Sequence, residues 1–193
     1  MVEINMNVIL ASASPRRKQL LSRIFSDFDI CPSSADETVP ETVKPYEYAE
    51  YLAVKKAEDI AEKNKDSLVI GCDTVVINGS KILGKPQSRN DAYDMIKMLS
   101  GKKHQVMTGI CLCLSGKSVS FSCRTDVEFY NLSETEILEY IASDEPYDKA
   151  GAYGIQGAGG LFVKRIDGDF YNVMGLPVAE LNRRIKQFTS CGK

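Results

Sequence analysis

The side chains best placed to act on an anion are Arg16, Arg17 and Lys18, which follow Ser12, Ser14 and Pro15 in the run LASASPRRK. Ser14 reads as a helix N-cap and Pro15 as the first helical residue. The three cations therefore fall in the opening turn, where free backbone amides already present positive charge. Cations there are electrostatically misplaced unless an anion joins them. A phosphate held by the Ser12 and Ser14 hydroxyls and the amides would turn repulsion into recognition. The alternative is that the cations simply extend into water.

Two further charges stand where apolar residues are expected. Lys56 shares a helical stripe with Ala49, Leu52, Ala53, Ala57, Ile60 and Ala61, so either its stem snorkels outward or its ammonium meets a carboxylate or phosphate. Lys55 projects differently and faces solvent. Asp73 interrupts the most β-branched run of the chain, where a carboxylate is hydrogen-bonded, metal-bound or catalytic unless it merely satisfies a turn at the strand end. Glu37, in a polar loop, either joins Asp73 as an oxygen ligand or simply faces water. Lys85, in the tight turn Gly84-Lys85-Pro86, can reach into a pocket. His104, the one histidine of the chain, and Thr108 begin a strand, and His104 reads as structural.

These groups need elements to hold them. Periodicity predicts a strand over 7–11, a helix from Pro15 through Leu20, Leu21, Ile24 and Phe25 to about Asp27, and a strand over 28–31. A loop follows at 32–44, then a long amphipathic helix at 46–63. A strand over 68–77 turns at Asn78-Gly79 into 81–83. A helix spans 90–100 and stops at Gly101. Paired strands cover 106–114 and 119–130 around Ser115-Gly116. Ser133 and Glu136 form a capping box opening another helix. The glycine-rich stretch 151–160 reads as a turn before a strand at 161–166, and the last helix covers 177–188. Strands and helices alternate without an internal repeat, which indicates one α/β unit.

Composition excludes several classes. At 193 residues, 44% hydrophobic and 26% charged, the chain is an ordinary folded protein. A net charge of −2 gives no general field for nucleic acid or an anionic membrane. Its apolar runs are too short to span a bilayer, and 8–13 is too short for a secretory signal, so the expected location is cytoplasmic. Cys31, Cys72, Cys111, Cys113, Cys123 and Cys191 read as buried thiols. With one histidine a zinc site is hard to assemble; if a metal binds, oxygen ligands and Mg²⁺ or Mn²⁺ suit the chain better. No GxxxxGK[ST] loop or strand-linked GxGxxG occurs.

Taken together, LASASPRRKQLL at 10–21, GCDTVV at 71–76, GKP at 84–86, HQVMTG at 104–109, KAGAYGIQG at 149–157 and GDFYNVMGLPV at 168–178 resemble the Maf family, in its order and over nearly the whole chain. The resemblance implies a single domain over 1–193. Its implied fold is α/β, an elongated mixed twisted sheet with flanking helices and two lobes around a cleft, similar to the inosine-triphosphate pyrophosphatases. It implies a pyrophosphatase that cuts dTTP and UTP with a divalent metal, Asp73 serving as general base and, with Glu37, as metal ligand. Ser12, Ser14, Arg16, Lys56 and Lys85 match the phosphate-binding positions; Arg16, Thr74 and Gln156 match positions tied to nucleotide preference. A homodimer and a link to cell-division arrest are further implications. The 7-methyl-GTP branch departs from arginine after SP and lacks YGIQG, both present here. That branch and a non-catalytic nucleotide-binding regulator of septum formation are the rival readings.

Overall fold

The computed structural model describes residues 6–190; Cys191 lies outside them. The first strand, β1 (Val8–Leu10), is fully buried and runs into the helix α1 (Pro15–Leu21). Ser14 caps α1, its hydroxyl accepting from the Arg17 amide, and Pro15 occupies the first turn, as the sequence predicts. The α-helical ladder stops at Leu21, earlier than the apolar stripe suggests. The amides of Ile24 and Phe25 both bond back to Leu21 O, so tight turns carry these two buried residues instead.

The remaining elements are β2 (Asp29–Ile30), α2 (Tyr48–Ala61), β3 (Leu68–Asn78), β4 (Lys81–Leu83), α3 (Arg89–Leu99), β5 (Lys103–Leu114), β6 (Lys117–Phe129), α4 (Glu134–Tyr140), β7 (Val163–Asp167), α5 (Phe170–Met174) and α6 (Val178–Ser190). The strands form one seven-stranded mixed sheet in the order β2-β1-β3-β5-β6-β7, with β4 paired to β3. β1 is parallel to both neighbours, whereas β3–β4 and β6–β7 are antiparallel. Ser115 and Gly116 both have positive φ and close the β5–β6 turn. The β3–β4 turn sits one residue later than predicted: Asn78 pairs with Lys81, leaving Gly79-Ser80 as its centre.

The chain divides into two units. The first comprises residues 1–73, 108–123 and 175–193, with a core of Ile9, Ala11, Ala53, Ala57, Ile60, Val69, Cys111 and Cys113. The second comprises 74–107 and 124–174. Its core joins α3 and α4 to Phe129, Tyr153 and Phe162. Here the capping box of Ser133 and Glu136 is complete, and His104 is buried with Nε2 2.9 Å from the Tyr153 hydroxyl. Three 3-10 turns, Glu145–Asp148, Ala150–Ala152 and Ala158–Phe162, give the glycine-rich stretch a defined path where the sequence suggested only a turn.

The expectation that all the cysteines are buried does not hold. Cys72, Cys111 and Cys113 are buried, but Cys31 is exposed and Cys123 half-buried. Cys31 follows β2, a two-residue edge strand with both residues exposed, and Cys123 lies on β6 among exposed neighbours. Sequence alone does not reveal that β2 is an edge or that β7 pairs with β6 only at 126–129, beyond Cys123. Among the described residues no helix is long and apolar enough to cross a membrane.

Candidate active site

Asp73 interrupts a buried strand because its neighbour has ended. β1 pairs with β3 only as far as Leu10 and Ile70, and the Ala11 amide makes one more bond to Ile70 O before the chain turns away at Ser12. β4 does not join until Val76. Asp73 and Thr74 are therefore half-buried between the buried runs 68–72 and 75–77. The carboxyl ends of parallel strands are where α/β sheets open to ligands, and the serine-containing loop 12–14 leaves β1 at that end.

α2 supplies the countercharge. Ala49, Leu52, Ala53, Ala57 and Ile60 are buried along one face, which packs so closely on β3 that a Cβ on Gly71 would collide with Ala53 O and Ala57. Lys56 rides on this face. Its Nζ lies 2.6 Å from Asp73 Oδ1 and 2.9 Å from Glu37 Oε1. The Lys56 and Asp73 side chains are 13% and 14% exposed, Glu37 63%, so the Asp73 arm is the less screened of the two. Burial works against the ammonium, but the Asp73 and Glu37 carboxylates outweigh it and raise the Lys56 pKa above its ordinary value. Lys56 is thus a fixed cation at neutral pH. Lys55 instead reaches the loop, 3.4 Å from Thr38 O and 3.8 Å from Asp36.

Arg17, which the sequence grouped with its neighbours as an anion-binding cation, turns inward. Its guanidinium donates to Gly175 O (3.0 Å), Ser12 Oγ (3.0 Å) and Cys72 O (2.9 Å). It thereby joins the 12–14 loop to the residue preceding Asp73. No local signal marks this role, because two of its acceptors are backbone carbonyls distant in sequence. Ser12 Oγ also accepts from Ser14 N at 3.3 Å, and Ser14 Oγ accepts from Arg17 N. Both hydroxyl oxygens act as acceptors, which leaves their protons to donate to an anion. Arg16 is half-buried in the opening turn of α1.

Ser12, Ser14, Arg16, Glu37, Lys56 and Asp73 all belong to the first unit. Thr74, Lys85 and Gln156 belong to the second, Thr74 half-buried and the other two exposed. Within that unit the turn carrying Lys85 is tied to the glycine-rich stretch, Gly151 N donating to Gly84 O at 3.0 Å. Neither His104, packed against Phe129 and Tyr153, nor Cys72 offers competing chemistry. Burial pushes the Cys72 thiol up to about 11, far from thiolate reactivity at neutral pH.

Among the described residues no group of three or more His, Cys, Asp or Glu side chains could hold a metal. The Asp73 and Glu37 carboxylates nevertheless converge on one ammonium. Two hard oxygen donors completed by phosphate and water suit Mg²⁺ or Mn²⁺, which commonly bind through one or two carboxylates and substrate, so the residues fit such an ion.

The family model described as Maf-like protein matches residues 7–188. The chain belongs to the Maf-like family. Two Maf-like relatives, each described as a dTTP/UTP pyrophosphatase, come from Bacillus cereus (49% identical) and Bacillus anthracis (48% identical). Each match spans 181 residues, 94% of this chain and 95% of the relative. Among solved structures, the Staphylococcus aureus Ham1 protein is 16% identical with a TM-score of 0.48, over 64% of this chain and 71% of its own.

Proposed function

We propose that this Maf-like chain hydrolyses dTTP and UTP to the nucleoside monophosphate and pyrophosphate. Near-full-length identity of about half to relatives with that activity supports the reading. The observation in this chain that carries it is the Lys56 ammonium held between Asp73 and Glu37 where β1 ends. A carboxylate and a cation so placed can act on a water and on a phosphate respectively.

In this reading Asp73 orients the attacking water and takes its proton as the water adds in line to the α-phosphorus. Lys56, drawn from its carboxylates toward the arriving phosphates, offsets charge accumulating on the leaving pyrophosphate. Ser12, Ser14, Arg16 and Lys85 bind phosphate oxygens. Arg16 and Thr74 contribute to nucleotide preference. The Gln156 amide, donor and acceptor at once, matches the O4 and N3–H edge shared by uracil and thymine; held in that orientation, it opposes the reversed pattern of cytosine. A divalent cation held by Asp73 and Glu37 would supply further charge neutralisation on the phosphates.

Asp73→Asn, nearly isosteric, should retain the circular dichroism spectrum and lose ~100-fold or more of pyrophosphate release from dTTP, the scale on which a general base contributes. Wild-type turnover in that variant, or orthophosphate as the only product of the native chain, would end the proposal. Nucleotide-pool housekeeping in the cytoplasm, a homodimer and a link to cell-division arrest belong to the same proposal. A cellular effect that survives Asp73→Asn would favour the regulator instead.

A further inference from the structure

Gln156 stands in a loop whose shape is set by one acidic side chain that the proposed reaction does not use. Residues 154–160 close on themselves through Gly157 N to Gly154 O (3.2 Å) and Gly160 N to Gly157 O (3.0 Å). Glu145, at the start of the 3-10 turn Glu145–Asp148, lies against this loop and is half-buried. Its Oε2 accepts from Ala158 N at 2.8 Å; its Oε1 accepts from Gly159 N at 3.0 Å and from the Tyr140 hydroxyl at 3.1 Å. Three donors thus converge on one carboxylate.

The loop also needs glycine where it meets Glu145. A Cβ on Gly157 would fall on Oε2 and lie 2.6 Å from both Cδ and Oε1. A Cβ on Gly154 would stand 2.5 Å from Lys149 Cε and 3.2 Å from Glu145 Oε1. Lys149 braces the arrangement from behind, its Nζ donating to Glu145 O and Asp148 Oδ1, each at 2.6 Å. Burial alone would raise the Glu145 carboxyl, but the amides of Gly159 and Ala158 and the Tyr140 hydroxyl hold it below the usual carboxylate range. It is therefore the ionised form that grips the loop, through charge-assisted bonds stronger than neutral ones.

Gln156 lies at the exposed tip between the Gly154 carbonyl and the Gly157 amide, two residues before the first amide Glu145 holds. We infer that Glu145 is the positioning residue for Gln156, fixing the backbone from which its side chain projects and so favouring one presentation of its amide to a uracil or thymine edge. The inference rests on the proposal that Gln156 reads the base. Without the carboxylate the same backbone would still turn, but four glycines in seven residues leave the tip free to sample many directions. A specific amide would then become an averaged one.

Glu145→Gln keeps the shape but sets an NH₂ against one of three donors. It should raise KM for UTP by roughly tenfold, leave kcat within about threefold, and narrow the UTP over CTP preference in kcat/KM. Gln156→Ala should do the same, and the double variant should be no worse than either single one, since both remove one function. A loop that served stability alone would leave KM and the UTP:CTP ratio untouched. If Gln156→Ala narrows the preference while Glu145→Gln does not, this inference is overturned and the reading of Gln156 stands. If Gln156→Ala leaves the preference unchanged, that reading fails and takes the inference with it. Should Glu145→Gln not fold, Tyr140→Phe removes one donor while keeping the ring against Phe162. A smaller shift in the same direction supports the inference; unchanged KM and preference overturn it.

Discussion

Arg17 delivers three hydrogen bonds to acceptors from three stretches of chain, the 12–14 loop, β3 and the segment at Gly175. A guanidinium suits this because its donors form a rigid, extended fork, whereas a lysine ammonium offers its three donors from a single point. Arg17→Lys should cost ~1–3 kcal/mol of stability in urea unfolding. It should also lower kcat by roughly tenfold through displacement of Cys72 and thus Asp73. If both measurements match the unaltered chain, Arg17 is an ordinary surface cation. Lys56 and Asp73 could be picked out from sequence because each is a charge breaking an apolar period. Arg17 could not, since carbonyl acceptors carry no signature in residue type and its neighbours Arg16 and Lys18 offer an equally basic context.

Contact between α2 and the sheet is set by small residues on both sides. Gly71 on β3 faces Ala53 and Ala57, and Gly109 on β5 faces the Ala49 backbone. This closeness lets a lysine on α2 reach a carboxylate on β3 at 2.6 Å. Gly71→Ala would drive a methyl into a helix carbonyl that cannot rotate aside, so about 1–3 kcal/mol or more of stability should be lost. The cost should appear as a lower urea midpoint together with reduced activity, because the helix must move away. Gly84→Ala, with nothing within 4 Å of the added methyl, should stay within about 0.5 kcal/mol; equal effects from the two would refute the close-packing argument. Elements with strong local chemistry were legible: Ser14-Pro15 opens α1, Ser133 with Glu136 opens α4, and Ser115-Gly116 closes a hairpin. The five-residue α5 and the 3-10 turns were not, because they are too short to show a period. Glu145, which shapes the last of those turns, escaped notice because its partners are backbone amides 13 and 14 residues away.

For the molecule as a whole, acid stability should show the one histidine in a window of its own. His104 is buried, and burial lowers its pKa from 6.5 to about 4, with the Lys102 backbone and Asp126 pulling weakly the other way. Between those values the unfolded chain binds a proton that the folded chain refuses. Stability is therefore complete above about pH 6.5 and declines as pH falls toward 4, by about 3 kcal/mol across the window. Carboxylates contribute with the same sign but later. Asp126, lowered by the Arg124 side chain, and Glu145, lowered by its amide donors against its burial, lose their share only as pH falls through their own depressed values. With no tryptophan in the chain, the readout is urea unfolding by far-ultraviolet circular dichroism at half-unit steps from pH 7.5 to 4. His104→Phe should be less stable at neutral pH, because the Tyr153 hydroxyl loses its partner. Its stability should nonetheless be nearly flat between pH 6.5 and 4.5, where the native chain slopes. A slope of native size in the variant would assign the acid sensitivity to the carboxylates and leave His104 without a part in it.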